Sequence, residues 1–239
     1  MLLSRTFSHP KSFARPRIVC ASSRGGIFPN IIRQSSTTTH LLHKPSLSAR
    51  RQVPIPLLFV YSSEWDPRSK NGMGRCAAWF AEKGYTCLEL DLGYPFDKDT
   101  STSEALMKAY EDDMAAHARS LEIPFAPVII ARDGGTLIAQ TYVSSHPASA
   151  LLLISPPSSN EAFAAANRRM LPTPLRAFDF EVSFPVGVMV TKRKLPALEK
   201  ESRLWKDPGV DKIVVKGAAA VTEQEGLVKI EEWLHELGF

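Results

Sequence analysis

Asp133 stands in the part of the chain whose residue types and spacing point most directly to chemistry. It lies within Val128-Ile129-Ile130-Ala131-Arg132-Asp133-Gly134-Gly135-Thr136-Leu137-Ile138-Ala139. There a β-branched run reaches a turn with two glycines, and a helical pattern begins at once. A strand-to-helix turn of this kind lifts its central side chain above the strand ends, beside a helix N-terminus. A carboxylate in that place is ionised near neutral pH and needs no base to attack carbon and form an ester. Releasing the ester requires a base-activated water. His117 falls inside a helical pattern, His146 at a helix end before Pro147, and His235 on the last helix. Each reads as a surface or capping residue, not a base. The favoured reading is therefore an inert Asp133, held by turn amides or paired with Arg132 or Lys192.

Two further clusters bear on ligand binding. Thr191-Lys192-Arg193-Lys194 follows an apolar strand, at the sheet edge where open α/β folds bind ligands. With a helix N-terminus nearby, such cations suit a phosphate or carboxylate, and a solvated basic turn is the alternative. Ser62-Ser63-Glu64-Trp65 follows the first strand of the domain, and Trp65 there is expected to pack. Ser62, Ser63, Arg132, Gly134 and Lys192 are accordingly the candidate ligand-binding residues. No metal-ligand pattern is present, and no Gly-x-Gly-x-x-Gly follows the first strand, so neither a metal nor a cofactor is expected. Cys20, Cys76 and Cys87 read as reduced thiols, those of the domain buried.

The elements around these residues alternate between strand and helix from Pro54 onward, which predicts a mostly parallel sheet with helices on both faces. Strands are expected at 55–61, 85–90, 126–131, 148–154, 185–191 and 212–216. Helices are expected at 73–83, 103–121, 135–145 and 222–237, and the Ala-rich 161–170 is the most helical part of 157–182.

The stretch from Ala131 to Pro157, ARDGGTLIAQTYVSSHPASALLLISPP, resembles the segment of α/β-hydrolases in which Gly-His-Ser-x-Gly-Gly opens a helix. In those proteins the helix ends in His/Tyr-Pro and the next strand in Ser-Pro. GYTCLELDLGYP is similar to the preceding family strand and its Asp-x-x-Gly turn. The resemblance covers about three quarters of the chain and implies an α/β-hydrolase-like domain over 52–239, with a reduced cap at 157–182. It also implies a nucleophile elbow centred on Asp133, where the family commonly has serine. The family's acid follows the strand that here ends in Thr191-Lys192-Arg193-Lys194. Its histidine follows the last strand, which here runs into Gly217-Ala218-Ala219-Ala220. The triad implied by the resemblance is dismantled.

Charge separates the domain from what precedes it. The 239 residues carry a net +4, but no Asp or Glu occurs before Glu64. Residues 1–51 hold nine of the 29 Lys and Arg, leaving 20 bases against 25 acids in the remainder, a net of −5. A nucleic-acid footprint is not supported, and no apolar run reaches the roughly 20 residues of a membrane span. Residues 1–51, rich in Arg, Ser and Thr, read as a disordered mitochondrial presequence, with a plain basic tail as the alternative. The expectation is a mitochondrial matrix protein that lacks ordinary serine-hydrolase activity. It would bind a small molecule or a mitochondrial protein partner in the remnant pocket. The enzyme alternative is an esterase, epoxide hydrolase or dehalogenase using Asp133 as nucleophile.

Overall fold

The computed structural model of the chain describes residues 37–120, 125–217 and 223–239. Seven strands form one sheet: β1 (Thr39–His43), β2 (Val53–Tyr61), β3 (Tyr85–Asp91), β4 (Val128–Arg132), β5 (Ala150–Ile154), β6 (Val186–Thr191) and β7 (Val210–Val215). Their order is β1-β3-β2-β4-β5-β6-β7, and every neighbouring pair is parallel except β1 against β3. Parallel strands need crossover connections, and here helices supply most of them, covering both faces. That is why β5 and β6 are buried at every residue and read as continuous apolar runs. The mostly parallel α/β sheet is as the alternation in the sequence predicts.

Helices α1 (Met73–Glu82) and α7 (Gln224–Glu236) cover one face, with Phe80, Ile230 and Trp233 in the core beneath them. Helices α2 (Ser103–Ser120) and α3 (Gly135–Val143) cover the other, contributing Leu106, Tyr110 and Leu137. Gly84 ends α1 with φ +97, and a Cβ there would lie 1.9 Å from the Arg51 carbonyl oxygen. Only glycine meets both demands. Cys76 and Cys87 are buried and unbridged. Burial pushes the Cys76 thiol up to about 12, which keeps it protonated and unreactive at neutral pH.

Three parts of the fold differ from expectation. First, β1 lies inside 1–51, the span read as a disordered presequence, so that boundary does not hold for the sheet. All but the last of its five residues are exposed, so it shows no inward–outward alternation to read. It is held by the register Thr39↔Asp91 to His43↔Cys87 and by His43, whose Nε2 lies 2.6 Å from Glu89 Oε1. The other Glu89 oxygen accepts from the Tyr61 hydroxyl at 2.8 Å. The rest of the expected presequence, residues 1–36, lies outside the described residues, as does Leu121 at the expected end of α2.

Second, the cap is less helical than 161–170 suggests. Helix α4 (Asn160–Ala166) is capped by Ser159, which accepts from the Ala162 N–H, and it stops at Asn167, whose φ is −137. Third, two short helices, α5 (Leu195–Glu201) and α6 (Arg203–Lys206), stand between β6 and β7. Each has too few turns for a 3.6-residue period to show. Burial of Leu198, Leu204 and Trp205 fixes them instead. Among the described residues no helix is long and apolar enough to cross a membrane.

Candidate functional site

The turn from β4 to α3 places Asp133 as the sequence requires. Asp133 has φ 45, in the left-handed region that Asp tolerates better than most non-glycine residues. Its N–H donates to the Ile154 carbonyl at 3.0 Å, tying the turn to β5, and its carbonyl accepts from Thr136 N–H at 3.1 Å. The helix runs close under the sheet edge: a Cβ on Gly135 would lie 3.0 Å from the Val60 carbonyl oxygen.

The carboxylate raised by this turn is not free. Lys194 Nζ donates to Asp133 Oδ1 at 3.0 Å, and Arg132 Nε donates to Oδ2 at 3.2 Å. Lys194 also donates to the Ser155 carbonyl at 3.2 Å. The Arg132 pairing weighed from the sequence is present. The lysine, however, is Lys194 and not Lys192, because the turn after β6 brings in the later residue. Lys192 is exposed, and its N–H donates to the Val215 carbonyl at 3.1 Å. A cation therefore occupies the stretch from which an α/β-hydrolase would supply its acid.

Asp66 is the residue that sequence reasoning missed. It caps a 3₁₀ turn (Pro67–Lys70) and is 1% exposed. One carboxylate oxygen accepts from the Arg68 N–H and from Arg68 Nε, both at 3.1 Å. The other accepts from the Gly134 N–H at 2.8 Å. A Cβ on Gly134 would sit 2.6 Å from that oxygen, so glycine is what admits the carboxylate. The sequence Asp66-Pro67 does signal a cap, but not a contact with an amide 68 residues away.

The backbone amides after β2 are also engaged. Ser62 N–H donates to Ser69 Oγ at 3.3 Å, while Ser63 sends its N–H to Asp91 Oδ1 and its hydroxyl to Asp91 Oδ2, each at 2.8 Å. Trp65 packs against Tyr110 and Phe163 and donates its indole N–H to the Met170 carbonyl at 2.8 Å. It is a packing residue.

A cavity of about 270 Å³ opens beside Asp133. The elbow, the loop after β5, α4 and α5 enclose it. Phe163, Ala162 and Leu198 give it an apolar wall, and Arg68, Lys194 and Asn167 are among its polar residues. Of the candidate site residues, Asp133 and Gly134 line this cavity; Ser62, Ser63, Arg132 and Lys192 do not.

Among the described residues no histidine lines it either. His117 Nδ1 lies 2.9 Å from the Asp113 carbonyl oxygen, and His235 is exposed on α7. His146 stacks on Tyr142, with Nδ1 3.0 Å from Ser145 Oγ and 3.3 Å from Glu111 Oε1. Serine and acid share one ring nitrogen there, so the imidazole cannot relay a proton from one to the other. Positions 218–222, where the family's histidine turn would fall, lie outside the described residues; their sequence contains no histidine. Among the described residues no group of three His, Cys, Asp or Glu is arranged to hold a metal.

No protein-family model matches the sequence, and no curated protein does. Solved structures do match. VinJ superposes with a TM-score of 0.57 at 11% identity, over 85% of this chain and 96% of that one. MGS-MChE2, an α/β-hydrolase enzyme from the metagenome of sediments of the Mar Chica lagoon in Morocco, gives 0.56 at 15%, over 87% and 99%. MenH from S. aureus gives 0.55 at 12%, over 84% and 99%. With the seven-stranded sheet and its occupied elbow, these likenesses establish that the chain has the α/β-hydrolase fold.

Proposed function

We propose that this protein has lost the ordinary serine-hydrolase reaction of its fold and acts by binding a small ligand in the cavity beside Asp133. The observation that carries this reading is the Asp66 carboxylate on the Gly134 amide. In α/β-hydrolases the N–H of the residue after the nucleophile is one of the two oxyanion-hole donors. A tetrahedral intermediate is stabilised by donors left free for its oxygen. Here a buried carboxylate holds that donor, and its negative charge would repel an oxyanion at short range. Asp133 is itself engaged by two cations, and among the described residues no imidazole stands by to activate water. A docked mitochondrial protein is the second binding reading, but the concave, apolar-walled cavity favours a small molecule.

The enzyme alternative, with Asp133 attacking carbon, is tested directly. A fluorophosphonate probe is expected to leave every serine unlabelled. Ester, epoxide and haloalkane panels should turn over no faster with wild type than with Asp133→Asn. Clean labelling of one serine, or turnover that vanishes in Asp133→Asn, would reject the non-hydrolytic reading.

The acid-free, Arg-rich start of the chain supports a place in the mitochondrial matrix. Residues 1–51 fused to a fluorescent protein are expected to carry it into mitochondria, and diffuse cytosolic fluorescence would rule this out.

A further inference from the structure

We propose that the cavity takes a small anionic amphiphile, a short-chain monocarboxylate whose head lies between Lys194 and Arg68 and whose tail lies against Phe163 and Leu198. This rests on the reading of the cavity as a ligand site and adds the chemistry of the ligand. The argument is one of charge placement. Five charged groups surround the elbow: Arg68, Arg132 and Lys194 against Asp66 and Asp133, a surplus of one positive charge. Both carboxylates are withdrawn, their side chains 1% and 15% exposed, whereas Lys194 and Arg68 are 38% and 54% exposed. A ligand entering from solvent meets the cations first.

Hydrogen-bonding capacity points the same way. An ammonium has three donors and a guanidinium five. Lys194 uses Nζ on Asp133 Oδ1 and the Ser155 carbonyl. Arg68 uses Nε on Asp66 and one NH₂ on Asn167 Oδ1 at 3.0 Å. Each keeps donors in hand, and both side chains line the cavity. A carboxylate head accepts from such donors in charge-assisted bonds, the strong class. The Gly134 amide, which would otherwise draw the head to the floor of the site, is already filled by Asp66. The head therefore stays at the mouth, leaving the apolar wall to the tail. Filled at interior packing density, about 270 Å³ admits on the order of ten non-hydrogen atoms.

The test compares hexanoate, hexanamide and hexylammonium, matched in chain and differing in head charge, by calorimetry and by chemical shifts of cavity residues in the full chain. Hexanoate is expected to bind at least about tenfold more tightly than hexanamide, with hexylammonium weakest. Lys194→Gln should bring hexanoate down to the affinity of hexanamide. Asp133→Asn leaves an acceptor oxygen but removes the negative charge that competes for Lys194, so it should tighten hexanoate. These two changes of opposite sign are ones that a purely packing role would not produce. If hexanamide or hexylammonium binds as tightly as hexanoate, the anionic class is wrong while the cavity remains a ligand site. If none of the three shifts cavity resonances at about 10 mM, the small-ligand reading itself fails.

Discussion

Asp66→Ala is expected to lower the unfolding free energy by about 2–4 kcal/mol in urea denaturation. The loss has separable parts. Removing the carboxylate orphans the Gly134 N–H, which donates to it at 2.8 Å in a buried setting; an unsatisfied buried donor costs about 1–3 kcal/mol. It also uncaps the 3₁₀ turn, where the Arg68 N–H donates to the same side chain; losing a cap costs about 1 kcal/mol. The Asp66–Arg68 ion pair adds little, because the Arg68 side chain is 54% exposed and such pairs contribute under about 1 kcal/mol. Asp66→Asn should cost less than Ala but more than nothing. Its amide presents one oxygen to two N–H groups that both need an acceptor, so one of them faces an NH₂. A loss below about 0.5 kcal/mol for Asp66→Ala would show that water replaces the carboxylate at Gly134 without penalty. The carboxylate would then hold the Gly134 amide only weakly, and the case against hydrolysis would weaken accordingly.

Trp233→Ala is expected to cost about 3–5 kcal/mol by the same measurement, the range for truncating a buried large aromatic. Trp233 is 3% exposed on the inner side of α7. It lies directly over Gly187 of β6, where a Cβ would sit 3.0 Å from the indole. Its N–H donates to Asp211 Oδ2 at 2.8 Å, so the residue joins α7 to β6 and β7 together. Trp233→Phe keeps most of the packing and loses the hydrogen bond, and about 1–2 kcal/mol is expected for it. If Trp233→Ala cost less than about 1 kcal/mol, α7 would not be a covering layer of this sheet. The parallel strands beneath it would then need another cover.

The sequence by itself determined the class of fold. The apolar runs at 55–61, 126–131 and 185–191 read as strands because parallel strands covered on both faces bury nearly all their side chains, and that burial leaves a continuous apolar signature. The turn at Asp133 was equally legible: a β-branched run, two glycines and a helical period fit few conformations. The residue types at the positions where the family carries its triad, Asp133, Lys192 and a turn without histidine at 217–222, were legible too. What only the tertiary structure decided is which groups meet at the elbow. The sequence points to Lys192 as the partner of the carboxylate, and the path of the turn after β6 brings Lys194 there instead. It marks Asp66 as a cap, while the packing of the 3₁₀ turn against α3 puts that cap on the Gly134 amide. It conceals β1, whose exposed residues carry no inward face and which is held by backbone pairing to β3 and by the single His43–Glu89 contact. Periodicity records burial, which each residue type registers locally. Contacts between residues some 60 positions apart depend on the path of the whole chain, so the charge arrangement that shapes this site appears only once the chain has folded.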